Sequence, residues 1–239
     1  APGVGLAHEF LAHVERCAIL VHLLELVPLA GAPVGNYELV RGELEAYDAG
    51  LARLPHDELE SYVGDGAPLL MARAARLEVT DLKTKAMVAD FLDYYAEHPI
   101  DYTNVMPGGL DALNALAHLP LGICTNKPRR TSIAVLRGLG LEARFKGVVA
   151  GDDLPKRKPD PAMVLETARL LGVPVQSIVM VGDGPQDVLS GRAAGAFTVG
   201  VKGGIQALER LTSSGPDLMI DTLADLPKAI NQLARGTQR

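Results

Sequence analysis

A chain of 239 residues, 48% apolar and 22% charged, holds enough material for one full core, or for a core with a smaller attached unit. Its formal charge of −6 and pI near 5.5 favour neither a nucleic acid nor an anionic membrane as partner, and neither is expected. No apolar run reaches the roughly 18–20 residues of a membrane span, and no basic segment followed by an apolar one opens the chain, so a cytoplasmic protein is the expectation.

Leu6 to Arg16 carries Leu6, Phe10, Leu11 and Val14 at helical spacing, which predicts an extra amphipathic helix over 1–17. His8 and His13 are five apart, one too many for a zinc pair on one helix face. Ala18–Leu26 reads as a buried strand. Tyr37, Leu39, Val40, Leu44 and Tyr47 predict a helix from Asn36 to Tyr47, with Asn36 as N-cap. Helical patterns then run from about 56 to 98. Beyond Pro107 the pattern alternates: helix 108–118, strand 120–124, helix 130–138, strand 147–150, helix 161–171, strand 177–181, helix 186–194 and strand 196–200. A last strand near 217–220 precedes a closing helix at 224–234. Strands alternating with helices of this length predict an α/β fold with a doubly wound parallel sheet. The expected division is a core from 18–50 and 105–239, with a helical cap domain inserted at 51–104.

The two cysteines, Cys17 and Cys124, lie in apolar strand-like contexts and read as buried thiols, not as a disulfide. Cys124 precedes Thr125, so a catalytic thiol is also considered, although no histidine is close in sequence.

Open parallel sheets bind ligands at the carboxyl ends of their strands, and three chemistry-bearing fragments sit at or just beyond such ends. Thr125 offers a hydroxyl and Asn126 a backbone N–H to a phosphate oxygen, although Thr-Asn after a strand equally caps the next helix. In Lys156-Arg157-Lys158-Pro159-Asp160-Pro161 a lysine can offset phosphate charge, or the whole run can be solvated. The Lys-Pro-x-Pro context selects Lys158. Val181-Gly182-Asp183-Gly184 delivers one carboxylate to a strand end, and Asp187 follows one helical turn on; such a pair suits Mg²⁺.

The order Gly122-Ile123-Cys124-Thr125-Asn126-Lys127-Pro128, Lys158-Pro159-Asp160-Pro161, Gly182-Asp183 and Asp187 resembles the haloacid dehalogenase superfamily, in particular its phosphoglycolate-phosphatase-like branch. The likeness covers about residues 55–230. It includes Ser61-Tyr62-Val63-Gly64-Asp65-Gly66 at the start of the helical block, Pro107-Gly108 at its end, Ala150-Gly151-Asp152-Asp153 and Arg192-Ala193-Ala194-Gly195. The resemblance implies a HAD-like Rossmannoid core and a Mg²⁺-dependent phosphatase of a small phosphorylated metabolite. It implies Thr125 as phosphate ligand, Lys158 as charge stabiliser, and Asp183 and Asp187 as metal-side carboxylates. Members open with an Asp-x-Asp-Gly-Thr strand end whose first Asp attacks phosphorus, and that string does not occur in this chain.

The first 55 residues are similar to something else. Gly5 to Arg16, Leu20-Val21-His22-Leu23-Leu24-Glu25 and Pro33-Val34-Gly35-Asn36-Tyr37 resemble a fragment of Obg-type GTPases, without their phosphate-cradling loop. A chimera is the expectation, with Ala18–Glu25 as central strand and Glu25 nearest the nucleophile position, either as metal ligand or nucleophile or as an ordinary strand-end glutamate. The N-terminal helix is then a candidate surface for a homodimer. Two readings stay open: a phosphatase with weakened or altered chemistry, and a remnant that folds and binds Mg²⁺ or phosphate or acts as an oligomerising module.

Overall fold

Strand formation follows the short apolar runs. In the computed structural model, which describes residues 18–21, 62, 65–100, 103–204 and 208–235, these runs become Ala18–Val21 (β1), Leu121–Cys124 (β2), Gly147–Val149 (β3), Ile178–Gly182 (β4), Phe197–Val201 (β5) and Leu218–Ile220 (β6). All pair in parallel, in the order β3-β2-β1-β4-β5-β6. The helices between them are Gly109–Ala115 (α3), Arg129–Gly138 (α4), Ala162–Leu171 (α5), Pro185–Ala194 (α6), Leu208–Ser213 (α7) and Leu226–Arg235 (α8). Ala67–Ala75 (α1) and Leu82–Glu97 (α2) precede them.

Both faces of the sheet are covered, as a parallel sheet requires. Along β4 the side chains alternate. Val179 and Val181 join a cluster with Leu113, Leu116, Leu136 and Leu226 on one face. Ile178 and Met180 join Met163, Val164, Ala168 and Leu171 of α5 on the other. In β2, Leu121 and Ile123 belong to the first face and Cys124 to the second. Gly122 points the same way as Cys124: a Cβ there would lie 2.9 Å from the Thr167 methyl and 3.1 Å from Leu171 Cδ1, so α5 packs onto bare backbone.

The helices start and stop where local chemistry tells them to. Asp160 Oδ1 accepts the Ala162 N–H at 3.0 Å to open α5, and Gly172, at φ 74°, closes it with its N–H on the Ala168 and Arg169 carbonyls. Asp81 caps α2 by accepting the Lys83 N–H at 2.7 Å. Within the predicted helical block, α1 and α2 pack Leu70, Met71, Met87 and Phe91 into a cluster of their own.

The doubly wound parallel sheet is as expected, with each predicted element after Pro107 recovered to within a few residues. Two details differ. Residues 223–225 form a 3₁₀ turn ahead of α8, closed by a capping box between Thr222 and Asp225. Helix α7 was not predicted: six residues with only Leu211 buried carry too little period to read. Of the predicted strand Ala18–Leu26, the four residues of β1 are described, and they lie at the centre of the sheet between β2 and β4. The helices expected over 1–17 and 36–47, the GTPase-like segment and Glu25 lie outside the described residues.

Candidate functional site

Strand order places the site. β1 is flanked by β2 and β4, with Val21 level with Val181, so the carboxyl ends of β2 and β4 stand either side of its exit. Chain direction around the sheet reverses there, which is where open α/β sheets form their ligand crevice.

Thr125 is the first residue past β2. Its N–H donates to the Val149 carbonyl at 3.0 Å, and its hydroxyl accepts the Lys127 N–H at 3.1 Å. The hydroxyl proton remains available to a further acceptor. Asn126 is buried, and its side chain does something that spacing did not reveal. Its Oδ1 accepts the Lys158 N–H at 2.9 Å while its Nδ2 donates to the Lys158 carbonyl at 3.0 Å. One amide thus clamps both main-chain groups of Lys158. The loop after β3 closes on the same spot. Gly151 donates its N–H to the Lys127 carbonyl at 2.9 Å, and a Cβ at Gly151 would sit 2.1 Å from the Asn126 carbonyl oxygen.

The basic run separates into three fates. The Lys156 side chain is 72% exposed and pairs with Asp160 at 3.0 Å. The Lys158 side chain is 2% exposed; its ammonium donates to the Cys124 carbonyl at 2.9 Å and pairs with Asp187 Oδ1. Arg157 is half-buried and donates from Nε to the Gly151 carbonyl at 2.6 Å. A buried charge persists only when paired and hydrogen-bonded, and Lys158 meets both conditions.

Asp187 and Asp183 are both buried, but they are held differently. The Oδ1 of Asp187 takes Lys158, and its Oδ2 accepts the Gly184 N–H at 3.2 Å in the capping box of α6. Its described contacts make it the counter-ion that orients Lys158. Asp183, 2% exposed, stands directly past the end of β4. The turn after β5 folds against its carboxylate so closely that a Cβ at Gly204 would fall 1.8 Å from Asp183 Oδ2.

The donor chemistry fits Mg²⁺, since Asp183 presents a hard carboxylate oxygen and this ion takes one or two carboxylates while retaining several waters. Among the described residues, no group of three or more His, Cys, Asp or Glu side chains is placed to hold a metal. The described part of the chain therefore supplies Asp183, with Asp187 beside it, and no fuller cage.

The thiol alternative is overturned. Cys124 packs toward α5, where burial pushes its thiol up to about 11, against the opposing effect of the Lys158 charge. The thiolate is the nucleophilic form, so this residue is inert near neutral pH.

Three further contacts were not legible in the spacing. Gln186, in the first turn of α6, donates from Nε2 to Asp65 Oδ1 at 2.9 Å, and Asp65 also pairs with Arg73 of α1 at 2.7 Å. A Cβ at Gly66 would lie 2.7 Å from Arg157 Nη1 and 3.5 Å from the Asn126 carbonyl oxygen. Lys127 donates to the Tyr95 hydroxyl and lies 4.6 Å over the centre of that ring. The residues leading into α1, with Tyr95 of α2, thus touch the loop that carries Asn126, Arg157 next to Lys158, and the first turn of α6, which holds Asp187. The only hint in the sequence was the Gly64-Asp65-Gly66 string.

A family profile described as haloacid dehalogenase-like hydrolase matches residues 19–195. The chain is 40% identical over 185 residues to a phosphoglycolate phosphatase of Rhodospirillum rubrum, covering 74% of this chain and 76% of that protein. To a phosphoglycolate phosphatase of Chromobacterium violaceum it is 36% identical over 190 residues, covering 74% and 81%. A solved structure from Haemophilus somnus 129pt, described as a predicted phosphoglycolate phosphatase, superposes with a TM-score of 0.75 at 24% identity, over 90% of this chain and 96% of that one. That last likeness speaks for the fold. With the parallel sheet, its strand order and the matched residues in hand, the chain belongs to the haloacid dehalogenase-like hydrolase family.

Proposed function

We propose that this chain is a phosphoric-ester hydrolase of the phosphoglycolate-phosphatase type, acting on a small phosphorylated metabolite with Mg²⁺. The observation that carries the reading is the Lys158 ammonium, buried beside Asp187 and the Cys124 carbonyl where β2 and β4 end. The names of the curated relatives support the same class.

In this reading the Thr125 hydroxyl donates to a phosphate oxygen, and Lys158 offsets the negative charge that builds on the phosphoryl group. Asn126 and Asp187 fix Lys158 from its backbone and from its side chain, so the charge needs no reorganisation when the ester binds. Mg²⁺ held by Asp183 would neutralise phosphate oxygens and polarise the phosphoryl group. Glu25 is the candidate for attack or for metal ligation. No acid replaces the second Asp of the absent string, since position 27 is Val, so turnover is expected to be slow.

A second reading, a chain that binds phosphate or Mg²⁺ without turnover, is favoured by one observation, the absence of an Asp-x-Asp-Gly-Thr string. Hydrolysis of 2-phosphoglycolate and of an aryl phosphate, with and without Mg²⁺, separates the two. Asp183→Asn is expected to lower turnover by about 100-fold or more, and equal turnover in both proteins would end the hydrolase reading. Phosphate binding without turnover in the parent chain would select the second. Glu25→Ala with unchanged turnover would remove Glu25 from the mechanism.

A further inference from the structure

We infer that Arg157 recognises a second negative charge on the substrate, a carboxylate carried next to the phosphate ester. This deepens the hydrolase reading and rests on it. Arg157 is the peptide neighbour of Lys158, and its guanidinium lies between Gly151 of the core loop and Gly66 at the start of α1, near the Asn126 carbonyl. Asn126 directly follows Thr125, and Arg157 directly precedes Lys158, the two residues that would hold a phosphate in the proposed reading. Arg157 is half-buried, one donor of its guanidinium goes to a neutral carbonyl, and among the described residues no carboxylate pairs with it. Its neighbours in the run differ: Lys156 takes Asp160, and Lys158 takes Asp187.

A planar guanidinium with five donors in a fork matches a carboxylate in two parallel bonds, whereas a compact ammonium suits a phosphate as a point charge. The pair Lys158 and Arg157 therefore divides the labour that a small phospho-acid demands, one cation for the ester and one for the acid. Gly66 belongs to the same device. Any side chain at 66 would occupy the space of Nη1, which lies 2.7 Å from the Cβ position. A phosphate ester without a second anion would leave this cation uncompensated in a partly covered place, and so would be selected against.

The test compares 2-phosphoglycolate with 2-hydroxyethyl phosphate, which carries a hydroxymethyl group where the first has its carboxylate. In Arg157→Ala the preference in kcat/KM for the acid over the alcohol is expected to fall by roughly 10- to 100-fold, mainly through KM. Arg157→Lys is expected to restore part of it. A purely structural staple between Gly151 and Gly66 would depress both esters alike, and an intact preference would overturn the inference. Calorimetry with phosphonoacetate and methylphosphonate supplies a readout independent of turnover. The parent chain is expected to prefer phosphonoacetate and Arg157→Ala to bind the two alike; no preference in the parent chain would also overturn it. Should Arg157→Ala fail to fold, Arg157→Gln carries the same comparison. A parent chain that hydrolyses neither ester yet prefers phosphonoacetate through Arg157 would remove the hydrolase reading and keep this one. The reverse pattern, turnover of the acid with a preference indifferent to Arg157, would do the opposite.

Discussion

Asp187 shows what a single side chain is asked to do in this site. It balances an ammonium that is almost wholly removed from water, and it closes the first turn of α6 through the Gly184 N–H. Taking away one member of a buried pair strands the other, at a cost of about 3–5 kcal/mol. Asp187→Ala is therefore expected to lose stability of that order in urea unfolding; a loss below about 1 kcal/mol would mean that Lys158 finds another acceptor. The Arg129–Asp153 pair answers to pH instead. Burial alone would raise the Asp153 carboxyl, but the bonds from Arg129 and the Ala150 N–H, with the Arg129 charge, hold it below the usual carboxylate range. A carboxyl whose folded pKa is depressed adds stability above its unfolded value, near 3.9, and loses it as pH falls through the folded one. Between about pH 5 and pH 2 the stability of Asp153→Asn should thus fall less steeply than that of the parent chain, and identical slopes would argue that the pair contributes nothing. At this scale Thr125, Lys158, Asp183 and Asp187 were legible because each sits at a fixed offset from a strand end or a proline. Arg157 was not, because nothing in Lys-Arg-Lys distinguishes a solvated side chain from one tucked under Gly66.

Elements meet where backbone comes close, and the loop after β3 against the loop after β2 is one such place at the site. Gly151 lies so near Asn126 that an added methyl would stand 2.1 Å from a carbonyl oxygen, and no flexible side chain can yield there. Gly151→Ala is expected to cost about 1–3 kcal/mol by forcing the two loops apart. Through the Asn126 clamp it should also displace Lys158, so the melting temperature and the phosphate affinity should fall together. A variant that melts earlier but binds inorganic phosphate unchanged would separate the loop contact from the clamp. The ends of α5 were readable, expected at 161 and 171 and found at Ala162 and Leu171, whereas the start of α2 at Asp81 was not separated from the helical run expected over 56–98. Element ends were also not readable where a helix is short and mostly exposed, as in α7, or where a 3₁₀ turn runs into a helix, as at 223–225.

For the whole molecule, alternating strands and helices carried the parallel sheet, since a strand buried on both faces must read as an apolar run between amphipathic helices. β4 shows this directly: Ile178, Val179, Met180 and Val181 are all buried, and alternate ones feed opposite cores. The order of strands carries no such local mark. That β1 lies between β2 and β4, and so brings Thr125 and Asp183 to the two sides of one crevice, depends on contacts between segments more than a hundred residues apart. The sequence by itself thus determined the fold class and singled out four polar residues, three by their offset from a strand end and Lys158 by its prolines, because period and turn chemistry act over a few neighbouring residues. Only the tertiary structure decided that Asn126 clamps Lys158, that Asp187 pairs with that lysine, and that Arg157 faces Gly66. In each case the deciding partner lies far along the chain, and a side chain's chemistry is set by what packing places against it.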